Sequence, residues 1–368
     1  MTSAQIEIQL IAVITAVACA LPGVFLVLQR KAMLSDAISH TVLLGIVIGF
    51  FIIGDLNSPL LVVGAALVGV LTVSLVALVE RTRLVKVDAA IGLIFPALFS
   101  IAVILISVYA GNVHLDTDAV LVGEIAFAPF DRLILFGTDV GPRGLWVIGG
   151  TLLLNLTFII LFYKELKLTS FDAGLAAALG FAPALLHYAL MTLVSITVVA
   201  AFDIVGSVLV VALIITPPAT AYLISKNLKN MILLSMLIGA LSALGGYWLA
   251  RLLDASITGA MATMAGSVFM LVFLFAPKTG LVASIRMRRL QKQDFAMTLL
   301  TAHLLNHEQQ DDDFEKSLGH LSLHLRWPTD YAAKIVNQAV REKLIVKENS
   351  MLLLTDLGRV RANQKFVQ

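Results

Sequence analysis

Charge is scarce in this chain, and so is cysteine. Lys, Arg, Asp and Glu make up 14% of its 368 residues, against 59% hydrophobic residues. A soluble globular domain carries about 25% charged residues. The deficit excludes a soluble enzyme or binding module over most of the length. The one cysteine, Cys19, lies in the first apolar block, so no disulfide forms within the chain and compartment cannot be read from it. No Gly-x-x-x-x-Gly-Lys-Ser/Thr phosphate loop occurs, which excludes ATP hydrolysis by that route. No nucleophilic triad, catalytic carboxylate pair, internal repeat or low-complexity tract stands out. No cleavable signal peptide is expected, because no basic segment precedes the first apolar block.

What is present is long apolar blocks, each of roughly the 20 residues needed to cross a bilayer. We expect an all-α polytopic membrane protein with nine spans. They are Glu7–Leu28, Met33–Ile53, Pro59–Val79, Asp88–Ala110, Leu145–Tyr163, Phe181–Ala201, Ile204–Ile224, Met231–Leu252 and Gly259–Ala276. Alternate loops are basic. Arg30, Lys31, Arg81, Arg83, Lys86, Lys164, Lys167, Lys226, Lys229, Lys278, Arg286, Arg288, Arg289 and Lys292 lie on one side; Arg132, Arg143 and Arg251 lie on the other. The positive-inside rule then places the N-terminus outside and the C-terminus in the cytoplasm, as an odd span count requires. Ala119–Phe130 is apolar but too short to span, and reads as a re-entrant segment lining a cavity.

Asp36 and His40 stand four residues apart in the second span, on one helical face. Ionisable residues inside a bilayer are functional by default. Carboxylate with imidazole suits Mn, Fe or Zn better than Ca or Cu(I). The plain alternative is a polar pair that bonds a neighbouring span. His187 enters the sixth span from the same side and is a third candidate ligand, or a histidine snorkelling beside Tyr188. Asp203, between spans six and seven, is an entry ligand or a loop cap. His114, Asp116 and Asp118 form an outer cluster that would attract cations, or a solvated loop. Glu124 follows among apolar neighbours. Thr216-Pro217-Pro218 predicts a kink, static or gating. On the basic side, Thr169–Pro183 predicts a short amphipathic helix stopping at Gly180.

Composition changes near Gly280, dividing the chain into 1–280 and 281–368. The second part opens with a basic linker. Helices are expected at Phe314–Leu325 and Pro328–Leu344, the latter capped by Thr329 or Asp330. A hairpin follows over Ile345–Thr355, and a last helix begins at Asp356. This is a small α+β winged-helix-like pattern. His303, His307, His320 and His324 form two i, i+4 pairs, which sense cytoplasmic metal or simply face solvent. Lys334, Arg341 and Lys343, offset by Glu342, are too few for a nucleic-acid surface.

Three stretches resemble the permease subunits of manganese, zinc and iron ABC importers: Leu28–Lys31 with Leu34–His40, Phe171–Gly180, and Val205–Ala221. The resemblance spans roughly residues 5–280. It implies a multi-pass protein of a bacterial inner or plasma membrane, with no permanently bound cofactor. The metal is its cargo. It implies two copies of a cytoplasmic ATP-binding subunit, a second permease, identical or not, and an external metal-binding protein. Asp36 and His40 become metal-path residues, with His187, Glu124 and Asp203 as further candidates. Phe171, Asp172, Leu175, Leu179 and Gly180 become the seat of the ATPase. The tail departs from the family pattern and is similar to winged-helix metalloregulators, with Leu354–Arg359 at the wing-to-helix junction; this favours manganese. Two other readings remain: a membrane-tethered sensor acting through the tail, and a secondary transporter that needs no ATPase.

Overall fold

The computed structural model describes residues 2–54, 58, 60–109, 125–135, 138–307, 325–348 and 351–364. In chain order its elements are α1 (Ser3–Leu28), α2 (Met33–Ile53), α3 (Leu60–Arg81), α4 (Val87–Tyr109), β1 (Arg132–Leu135), β2 (Thr138–Pro142) and α5 (Arg143–Leu161). Then come α6 (Tyr163–Phe171), α7 (Ala173–Ala178), α8 (Pro183–Ile224), α9 (Leu228–Leu253) and α10 (Ile257–Phe275). The last are α11 (Leu281–Asn306), α12 (Thr329–Arg341), β3 (Ile345–Glu348), β4 (Met351–Leu354) and α13 (Asp356–Gln364). Two compact units result, Met1–Ala276 and Pro277–Gln368.

Among the described residues, 8 helices are long and apolar enough to cross a membrane, all in the first unit. The expected sixth and seventh spans form one of them, the 42-residue α8. The break between them falls at Gly206, not at Phe202–Asp203. Its φ of 74° and ψ of 166° are values that essentially only glycine adopts. Gly23 on α1 packs against Ile214 and Pro218 in the second leg of α8. Lys31, just beyond α1, places its charge near His187 in the first leg. An unbroken helix would hold His187 and Pro218 about 46 Å apart. Gly23 and Lys31 lie within about 20 Å of chain reach, since most of the steps between them are helical. Thus α8 turns back on itself at Gly206. Pro217 and Pro218, where a kink was expected, keep helical backbone angles.

α1 lies at the centre of this unit, buried along Ile11, Ala16, Leu21, Val24 and Phe25. Pro22 cannot donate to the carbonyl of Ala18, four residues back. Asn155 of α5, fully buried, supplies the missing donor: its Nδ2 lies 2.9 Å from Ala18 O and 3.0 Å from Thr197 Oγ1 of α8. One amide therefore ties three helices. Asn155→Ala should destabilise the unit by about 1–2 kcal/mol by orphaning a buried carbonyl. Thermal unfolding of the purified protein checks this, and an unchanged midpoint would count against the pin. Elsewhere glycines bring α2 and α3 together: a Cβ on Gly64 would lie 2.8 Å from Gly45 O. Beside them Thr72 Oγ1 bonds Thr41 Oγ1 at 2.8 Å.

The antiparallel β1–β2 hairpin was not foreseen. Arg132 ties it to α1, bonding Asp139 through Nε and Nη2 at 2.8 Å each and Glu7 through Nη1 at 3.2 Å. The Gly141 amide and the Arg132 guanidinium together hold the Asp139 carboxyl below its usual range.

In the second unit α11 and α12 pack on the β3–β4 hairpin around Leu300, Leu304, Ile335, Val336, Ile345 and Leu352. The expected hairpin and last helix are present. Arg286, Arg288, Arg289 and Lys292 lie on α11, one continuous helix that also supplies core residues from Ala296 on. Pro328 holds the N-cap position of α12 and no side chain caps it, so Thr329 and Asp330 are first-turn residues instead. Fixed φ and a missing N–H suit proline to that entry. The helix expected at Phe314–Leu325 falls almost wholly outside the described residues.

Candidate metal-transit site

Asp36 and His40 occupy the first two turns of α2, with His40 Nε2 3.6 Å from Asp36 Oδ1. That is too long for a hydrogen bond. It is close to the separation, about 3.4 Å, of two ligands held tetrahedrally at roughly 2.1 Å from one ion. The neighbouring hydroxyls are spent on the backbone: Ser35 Oγ donates to Ala32 O at 2.7 Å and Ser39 Oγ to Ser35 O at 2.8 Å. The carboxylate and imidazole are thus left as the open donors of this face. Phe95 and Phe99 of α4 form a wall, their rings 5.6 and 5.9 Å from His40, the first stacked and the second edge-on. The pair keeps about a third of its surface open, 34% for Asp36 and 30% for His40.

His187 lies near the start of α8. Its Nε2 is buried, without a hydrogen-bond partner among the described residues, and its ring is 5.9 Å from Tyr188. Among the described residues no three His, Cys, Asp or Glu side chains converge on one point, so His187 does not complete a three-ligand group with Asp36 and His40. Asp203 is neither in a loop nor a cap: it is an exposed residue inside α8, three positions before the Gly206 break. His303, in the last turn of α11, and His307, at its C-cap, hold their rings 4.6 Å apart and tilted by 52°. Glu124, His114, Asp116, Asp118, His320 and His324 lie outside the described residues, as do 119–124; residues 125–130 form turns with Ile125 buried.

The Phe171–Gly180 segment forms as its sequence predicts. Asp172 Oδ1 accepts the Leu175 amide at 2.9 Å and caps α7. The helix stops where Gly180, at φ 87°, lets Phe181 N reach Ala176 O and Gly180 N reach Ala177 O. Ala176 is buried, while Phe171, Leu175 and Leu179 are 65%, 48% and 61% exposed. A short, rigid, apolar knob results.

Sequence reasoning missed the aromatic wall, the Asn155 pin and an ion pair between Lys31 Nζ and Glu80 Oε2 at 3.5 Å. A lone asparagine in an apolar span, with proline four residues beyond its partner carbonyl, was the available signal for the pin.

The profile of the ABC 3 transport family matches residues 3–276. The chain is 48% identical to the zinc transport system membrane protein TroD of Treponema pallidum, over 96% of each. It is 49% identical to the manganese transport system membrane protein MntD of Bacillus subtilis, over 76% of this chain and 95% of that one. In structure it resembles PsaBC from Streptococcus pneumoniae in complex with Fab, with TM-score 0.63 and 30% identity over 76% of this chain and 94% of that one. Fold, hydropathy and relatives agree: the chain belongs to the ABC 3 transport family, as a multi-pass membrane permease subunit without catalytic activity of its own.

Proposed function

We propose that this permease carries a divalent transition metal, manganese, zinc or iron, into a bacterial cell, and that Asp36 and His40 form its transit site. The observation that carries the reading is the pair itself: two ligands, each about a third exposed, at the separation of two ligands on one ion, with their neighbouring hydroxyls already engaged. Two protein ligands hold an ion without trapping it, and water or a second permease supplies the rest. The names of the relatives, zinc for one and manganese for another, fit that donor set.

The bent α8 yields nine crossings from the eight long apolar helices among the described residues, which supports an outside N-terminus and a cytoplasmic C-terminus. The exposed Phe171–Leu179 knob then faces the cytoplasm and seats one of two ATPase subunits. An external binding protein delivers the ion, and a second permease copy completes the path. The tail is an accessory, winged-helix-like regulatory unit. MntD aligns over 282 residues, about the length of the first unit, whereas TroD aligns over 353. The tail therefore gives no preference for manganese over zinc.

The test is uptake of radioactive Mn, Zn and Fe by the chain reconstituted with its ATPase and binding protein. We expect ATP-dependent uptake of one or two of them, retained when residues after Lys292 are removed. Uptake without ATPase under an ion gradient would overturn the reading in favour of a secondary transporter. Normal uptake with loss of metal-dependent gene expression in the truncated strain would favour a sensor role for the tail.

A further inference from the structure

Lys31 lies in the turn between α1 and α2, five residues before Asp36. Arg30, at φ 57°, closes that turn, with Lys31 N bonded to Leu26 O at 2.9 Å. The lysine is thereby fixed at the mouth of α2 and not on a loose loop. Its ammonium reaches across to Glu80 at the end of α3, 3.5 Å away, and the two side chains are 23% and 37% exposed. It also lies near enough to His187 on α8 for its charge to act there. His187 Nε2, buried, has no hydrogen-bond partner among the described residues. Lys31 thus ties the mouth of α2 to the end of α3, with the start of α8 within range of its charge. Glu80 and His187 repeat the donor chemistry of Asp36 and His40, one carboxylate and one imidazole, with the ammonium beside them.

We propose that Lys31, held by Glu80, is an electrostatic gate on the cytoplasmic side of the transit site, standing where a departing divalent ion would otherwise meet Glu80 and His187. This rests on the transit-site reading above. A like charge in a partly buried mouth repels a metal ion far more than it would in water. An ion pair this exposed is weak, so a modest ATP-driven shift of α2 against α3 can part it. Once Lys31 swings away, Glu80 and His187 receive the ion.

The two neutral variants then act with opposite sign. Lys31→Gln removes the barrier. In proteoliposomes of the full complex it should raise ATP-independent Mn or Zn flux about fivefold, the scale of one partly exposed ion pair. Lys31→Arg keeps the charge and should leak no more than wild type. Glu80→Gln leaves the lysine unpaired, and should slow ATP-driven uptake without any leak. Equal losses of uptake in both neutral variants, with no leak in Lys31→Gln, would mean a merely structural pair and overturn the gate. The same leak is measured in an Asp36→Asn background. A leak that persists there, with wild-type uptake in Asp36→Asn alone, retires the transit site and leaves the gate standing. Assembly with the ATPase, read by gel filtration, accompanies each variant.

Discussion

Gly23→Leu is expected to abolish recovery of a folded permease. Gly23 faces the backbone of α8 so closely that even a single Cβ would collide with the Ile214 carbonyl. The collision is with backbone, so no rotamer change relieves it. The carbonyl is there because of Pro218, which has no N–H to donate to it, leaving it directed at α1. A Cα–H to oxygen contact at this point is worth only a fraction of a hydrogen bond, about 0.5–1 kcal/mol. Steric overlap matters more: overpacking a close helix crossing costs about 1–3 kcal/mol for a methyl and more for a leucine. Gly23→Ala should lower the unfolding midpoint measurably, and Gly23→Leu should leave no monodisperse peak in gel filtration. Gly92→Ala on α4 is the control, since no described atom lies within 4 Å of a Cβ there. A Gly23→Leu protein that purifies and melts like wild type would show that the two helices do not meet this way.

Asp36→Asn and His40→Ala should each cut the initial rate of metal uptake at least about 100-fold, beyond the 10–100-fold typical of losing an outer-shell partner of a metal ligand. Assembly should survive. The two groups are 3.6 Å apart, are a third exposed, and neither serves as a hydrogen-bond anchor for another described helix. Asp36→Asn keeps the shape and removes only the charge, so packing is held constant. A structural polar pair behaves in the reverse manner, with less complex recovered but normal uptake per complex. Uptake and gel filtration on one preparation separate the two cases.

Much of this was legible in the sequence because apolar runs report burial in lipid directly. The spans at Met33–Ile53 and Arg143–Leu161 were located to within a few residues by composition alone. The short α7 was equally legible, because Asp172 and Gly180 mark its start and stop through local chemistry. Asp36 and His40 were visible for a related reason: a charge in an apolar run is conspicuous. The break in α8 was misplaced by a few residues. Asp203 marks a change in hydropathy, whereas the chain turns where backbone freedom exists, at Gly206. Partnerships between distant residues were not legible. Nothing in the one-dimensional pattern joins Asn155 to Ala18, Arg132 to Glu7, or Lys31 to Glu80.

The sequence by itself therefore determined the class of protein, most of the spans, the knob at Phe171–Gly180 and the placing of Asp36 and His40 on one face of α2, since each rests on composition or on spacing within one helix. The tertiary structure alone decided which freed carbonyl meets which amide, where α8 turns back, which aromatic rings wall His40 and which acid holds Lys31. Those outcomes depend on how helices cross, and a crossing is fixed by contacts between residues far apart in sequence, such as Asn155 and Ala18, 137 positions apart.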